Sequence, residues 1–225
     1  MKKLHLCSFF TLFSIFSLSS QARLDAMVPY NRALCLERAW RVVEAEADYK
    51  KAIEICLQEL TLNQTNIQKL NSYAVCTWSL SRLKRYDDVV KYCKEALKIA
   101  PDNRIIETIG EAYFYLGKYS LALRNLEQYV DSYQGYRLGD AYFLIGEIYE
   151  LQKKYNKADV AYSMALKQSP RNVLWWFKLA KARENALDKE SQVGKRAALE
   201  TYRQVARLSP SYPGVQEKIR ELQRL

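Results

Sequence analysis

The chain has 225 residues and a formal charge of +10, and 49% of it is hydrophobic, which excludes a disordered polar tail and leaves enough apolar surface for a large core. With 7 Gly and 5 Pro it is too lean in turn residues for a fold of many short strands, so the composition leans towards helices. In chain order, the first element reads as a leader. Lys2 and Lys3 precede an apolar run from Leu4 to Leu18 that is too short to span a bilayer, and Ser20-Gln21-Ala22 places small residues where a signal peptidase reads. Residues 1–22 are expected to be a cleaved secretory signal; a cut after Ala26 ranks second because it would put bulky Leu24 at the outer recognition position. The mature chain is then an exported, periplasmic or cell-envelope protein with no membrane span. Its loss of Lys2 and Lys3 takes the net charge from +10 to +8. It also loses His5, the sole histidine, which removes imidazole bases and His-ligated metals from consideration.

Residues 23–32 follow as a short lead-in, and the helical pattern begins after it. The cysteines Cys35, Cys56, Cys76 and Cys93 fall in apolar helical patterns with no C-x-x-C clip, which reads as small buried hydrophobes before it reads as bridges or a zinc site. Thr61 to Asn66, rich in Thr, Asn and Gln, reads as a connection.

From Ile106 onward the chain repeats itself. Ile106, Ile109, Gly110 and Tyr113, with Tyr119, Ala122 and Leu126, recur as Tyr142, Ile145, Gly146 and Tyr149, with Tyr155, Ala158, Tyr162, Ala165 and Pro170. The same slots are filled upstream by Tyr73, Cys76, Leu80, Tyr86, Val89, Cys93, Ala96 and Pro101. A looser version is expected at Leu36, Ala39, Val43, Tyr49, Ala52 and Cys56, and another begins at Trp176, Leu179 and Ala180 and resumes at Ala198, Tyr202, Val205 and Pro210. These residues resemble the tetratricopeptide (TPR) pattern, whose period is about 34 residues.

The resemblance implies an all-α fold, a right-handed superhelical α-solenoid of about five helix pairs at residues 33–66, 70–102, 103–136, 139–172 and 173–210. Val215, Ile219 and Leu222, at helical spacing, are expected in a capping helix over 213–225. Polar residues Glu184 to Gly194 are the expected home of the extra length in the last unit.

The resemblance also implies a concave surface lined by the first helix of each unit, and with it a binding role. The partner-binding groove expected there comprises Trp78, Arg82, Glu107, Glu111, Phe114, Phe143, Glu147, Glu150, Phe177 and Lys181, flanked by Glu37, Arg41 and Glu44 in the first unit and Glu184 in the last. The middle of that groove reads as acidic and aromatic, suited to a peptide with basic and apolar side chains; solvated glutamates on an exposed face are the competing reading. Trp175 and Phe177 read equally as an exposed patch or as interior.

Basic residues such as Lys91, Lys94 and Lys98, or Lys153, Lys154 and Lys157, read as a solvated outer face before they read as a surface for anionic polymers, lipid headgroups or an acidic partner. Glu107 and Glu111, one turn apart, offer a weak glycosidase-like pair with no accompanying nucleophile, oxyanion donors or metal motif. The sequence thus points to a non-catalytic adaptor or scaffold that binds proteins or peptides, with no cofactor, no metal and no nucleic acid. A self-associating structural part of an envelope assembly is the second reading, and an envelope-polymer enzyme the third.

Overall fold

A computed structural model describes residues 25–132, 135, 137–186 and 192–224. The expected signal, residues 1–22, and part of the Glu184 to Gly194 stretch lie outside them. The described residues form eleven α-helices and no strand: α1 Met27–Arg38, α2 Val42–Leu60, α3 Asn66–Arg82, α4 Tyr86–Ile99, α5 Asn103–Tyr115, α6 Tyr119–Asp131, α7 Leu138–Leu151, α8 Tyr155–Gln168, α9 Val173–Ala186, α10 Gln192–Leu208 and α11 Val215–Arg224. Each helix packs on the next, which makes an α-solenoid of antiparallel pairs. Among the described residues no helix is long and apolar enough to cross a membrane.

The pairs are joined by one recurring turn. At the ends of α1, α3, α5 and α7 the residue after the C-cap adopts left-handed backbone: Trp40 (φ 60°), Lys84 (56°), Gly117 (70°) and Lys153 (57°). The amide that follows donates back to the carbonyl of Leu36, Leu80, Tyr113 or Tyr149, closing a Schellman motif each time. This conformation costs an L residue roughly 1–2 kcal/mol, and glycine escapes that cost. Two of the first helices have capped starts: Thr65 and Gln68 exchange hydrogen bonds in a capping box at α3, and the Asp102 carboxylate accepts from the Arg104 amide at α5.

The turns correct the reading of the first unit. Leu36 accepts the closing bond there, so it corresponds to Leu80, Tyr113 and Tyr149, and Tyr49 corresponds to Cys93, Leu126 and Tyr162 rather than to Tyr86, Tyr119 and Tyr155. Helix α1 therefore starts at Met27, inside the expected lead-in, and the surplus residues lengthen α2 to 19 against 14 in α4. Arg32 and Asp48, joined by two charge-assisted hydrogen bonds, clip α1 to α2.

Between paired helices the close approach is made by a small residue facing a larger one. A Cβ added at Gly110 would meet Leu126 Cγ at 2.9 Å, and one at Gly146 would meet the Tyr162 ring at 2.5 Å. Around these contacts Tyr49, Tyr162, Tyr202, Leu80, Ile105, Leu126, Ile148 and Leu179 are almost wholly enclosed. The apolar interior runs from α1 to α11, where Val215 and Leu222 are buried with Ala180, Ala198, Tyr202 and Val205. Cys56, Cys76 and Cys93 are free and buried, as small hydrophobes should be; Cys35, on α1, is exposed, contrary to expectation.

Candidate functional site: the inner layer of first helices

The first helices also touch one another directly, α1 with α3, α3 with α5 and α5 with α7, whereas no contact of comparable extent joins α2, α4, α6 and α8. A stack whose first helices crowd together curves towards them, so they line its inner side. All ten residues expected to form the groove lie on these helices, but most of them are engaged by neighbours.

The carboxylates are answered one unit downstream. Glu37 of α1 pairs with Arg82 of α3 at 3.5 Å. Glu107 and Glu111 of α5 share Arg137, just ahead of α7, at 2.8 and 3.0 Å, and Arg137 also reaches Asp140. Glu147 and Glu150 of α7 receive Lys178 of α9 at 2.8 and 3.3 Å, with Lys181 3.5 Å from Glu150. Glu184 of α9 pairs with Lys218 of α11 at 2.9 Å. Phenols buried in the second helices complete the arrangement. Tyr162 Oη lies 2.5 Å from Glu147 and 2.8 Å from Glu150, and Tyr202 Oη lies 2.6 Å from Glu184.

The environment sets the protonation of these groups. Burial pushes the Glu107 carboxyl up to about 8, against the pull of Arg137. Its Oε1 lies 2.8 Å from the Arg137 guanidinium without the alignment of a hydrogen bond. Burial also acts to raise Glu150, but the Tyr162 hydroxyl and the two lysines outweigh it and hold that carboxyl below the usual range. Tyr162 is raised by burial and by its carboxylate neighbours, so it remains a neutral donor.

The acidic trough expected from sequence is thus corrected to a ladder of matched charges, because the cations that neutralise it sit on the following helix. Arg137, Lys178 and Lys218 were not among the expected groove residues, nor were Tyr162 and Tyr202. Their signal was a cation 26 to 34 residues after each glutamate, close to one repeat on. Arg41 and Glu44, expected on the inner face, lie instead at the first turn and the start of α2, bonded to each other. Glu107, only 3% exposed, is engaged by Arg137, which weakens the reading of a glycosidase-like pair.

The aromatic residues divide similarly. Phe143 lies under Trp175, stacked at 5.5 Å, and Trp175 is itself buried over Gly139, so the exposed patch weighed for Trp175 and Phe177 is absent. Phe177 is held between Tyr202 and Tyr212. Trp78 is half-buried against Tyr30 and lines a cavity of about 50 Å³ with Asn103, Arg104, Glu107, Tyr129 and Arg137. Phe114, half-buried beside Tyr115 and Tyr119, opens onto the inner face, as do Arg82, Glu111 and Lys181 in part. Among the described residues no group of His, Cys, Asp and Glu is placed to hold a metal.

Comparison with known proteins agrees with this architecture. Residues 108–170 match the tetratricopeptide repeat family model. MamA from Desulfovibrio magneticus RS-1 superposes with a TM-score of 0.60 at 19% identity, covering 84% of this chain and 97% of that one. A MamA RS-1 double mutant gives 0.62 at 19% identity, over 83% and 95%. YrrB, described as a TPR protein with an unusual peptide-binding site, gives 0.54 at 17% identity, over 90% and 93%. A search of curated proteins returns no match. Residues 108–170 therefore carry tetratricopeptide repeats, and helix pairs of the same architecture extend beyond the matched segment through the described helices.

Proposed function

We propose that this TPR protein is a non-catalytic adaptor, exported by its leader to a bacterial envelope compartment, that holds a peptide segment or a partner protein along the inner layer of its first helices. The fold supports a binding role through the surface it leaves on that layer, and peptide capture by YrrB, a distant relative in fold, is in keeping with it. The enclosed Glu107 speaks against catalysis at the one carboxylate pair the sequence offered.

The observation that carries the proposal is the half-open strip where Arg82, Glu111 and Phe114 lie on adjacent inner helices, beside the cavity under Trp78. It sharpens the expected ligand. Because Glu147 and Glu150 are already satisfied by Lys178 and Lys181, a purely basic peptide gains little there; a segment carrying both charge signs around an apolar anchor fits Phe114 and its flanks.

Photo-reactive residues placed at Arg82 and Phe114, and at Lys94 on the outward helix α4, test this in cells. Capture of one partner from the inner positions and not from Lys94 is the expected result. Capture of a second copy of the chain would favour the self-associating reading, and capture from Lys94 alone would refute the inner-face site.

A further inference from the structure

Neighbouring helices alternate in direction, so every first helix ends on the same side and the turns that follow form one edge of the solenoid. The edge is continuous. Arg82 at the end of α3 reaches Glu37 at the end of α1, and Tyr86, just past the second turn, stacks at 4.7 Å on Tyr115, just before the third.

Along this edge Arg38, Lys84, Lys118, Lys153 and Lys154 are exposed, and among the described residues no carboxylate pairs with them. Most acids there are already engaged, Glu37 by Arg82, Glu44 by Arg41 and Asp88 by Arg85, which leaves Asp87 and, one turn into α2, Glu46. At the head of the row stands Trp40, 90% exposed on left-handed backbone, with Val43 82% exposed beside it. The equivalent turn positions hold Lys84, Gly117 and Lys153. The turn itself therefore has no need of an indole, and Trp40 accepts backbone strain without gaining any packing.

We propose that this edge docks onto an anionic lipid surface, with its unpaired cations over headgroup phosphates and Trp40 and Val43 seated at the interface. The chemistry favours lipid over a protein partner. Four of the five cations are lysine point charges, spread one or two to a turn along the edge, and a planar anionic layer imposes no register on them. An indole flanked by an aliphatic side chain is the pairing that settles at a membrane–water boundary. Docking by this edge leaves the inner layer of first helices free, so it does not depend on the adaptor reading.

The test is flotation of the exported chain with vesicles of phosphatidylglycerol and phosphatidylcholine in equal parts, and with phosphatidylcholine alone. Binding is expected only to the anionic vesicles, weakening with salt. Replacing Lys84, Lys118, Lys153 and Lys154 together by Glu should lower partitioning roughly a hundredfold, and Trp40→Ala roughly tenfold. Brominated acyl chains should quench tryptophan emission in the unaltered chain and far less in Trp40→Ala. Replacing Lys50, Lys51, Lys91 and Lys94 on the outward helices by Glu changes net charge equally and should leave binding intact. No binding at low salt, an equal loss from the outward set, or preferential binding of soluble polyglutamate with the same variants sensitive would each overturn the proposal.

Discussion

The second helix pair, α3 and α4, and the fourth, α7 and α8, fill the same contact in opposite ways. In the second, a branched Thr77 faces a slim Cys93, and both are wholly buried. In the fourth, a bare Gly146 faces the full ring of Tyr162. The third pair, Gly110 against Leu126, lies between them. What the solenoid holds constant is the volume shared across the two helices, and the partition of that volume is free to vary. The fourth pair gains something the second lacks, a phenol long enough to reach the inner carboxylates.

Exchanging the two solutions is the strongest way to break this comparison. Gly146→Thr should destabilise by about 3 kcal/mol or more, because even a Cβ would stand 2.5 Å from the Tyr162 ring. Adding Tyr162→Cys should recover part of the loss, with a coupling of about 1–3 kcal/mol in urea denaturation. Strict additivity of the two changes would mean that volume is not what the pair shares.

A smaller effect separates ring from hydroxyl. Tyr162→Phe keeps the packing but takes the donor from Glu147 and Glu150, and a loss of about 1–2 kcal/mol is expected, limited because Lys178 still serves both. A neutral outcome would show that the lysine alone satisfies the inner carboxylates.

The smallest effect concerns the thiols that make the second pair different. With a maleimide at neutral pH and no denaturant, Cys35 should react promptly and Cys56, Cys76 and Cys93 should not. Burial raises the Cys93 thiol; contact with Cys76, then burial, raises that of Cys56. Labelling of Cys76 or Cys93 in the native chain would reveal that the second pair opens on its own.

Much of the fold was legible because Gly110 and Gly146 with Tyr113 and Tyr149 mark helix, close contact and turn in one motif. The first unit was misread for a physical reason. A slip of two helical turns returns side chains to nearly the same face, so Leu36 and Val43 look interchangeable unless a turn residue fixes the register. That residue is usually glycine, as at Gly117; here it is Trp40, which carries no turn signal. The groove was half legible for a related reason. Glutamates on an inner face announce themselves, but Arg137, Lys178 and Lys218 act from the next repeat, and only contact across units identifies them as partners.

That ladder has a direction. In each rung on the inner layer the acid comes first in the chain and the base arrives with a later helix, from Glu37 and Arg82 to Glu184 and Lys218. In a chain that emerges N-terminus first the carboxylates therefore appear unanswered, and each is quieted only when its successor has folded against it. The last to be quieted waits for α11, so the closing helix completes the array electrically as well as covering its greasy end.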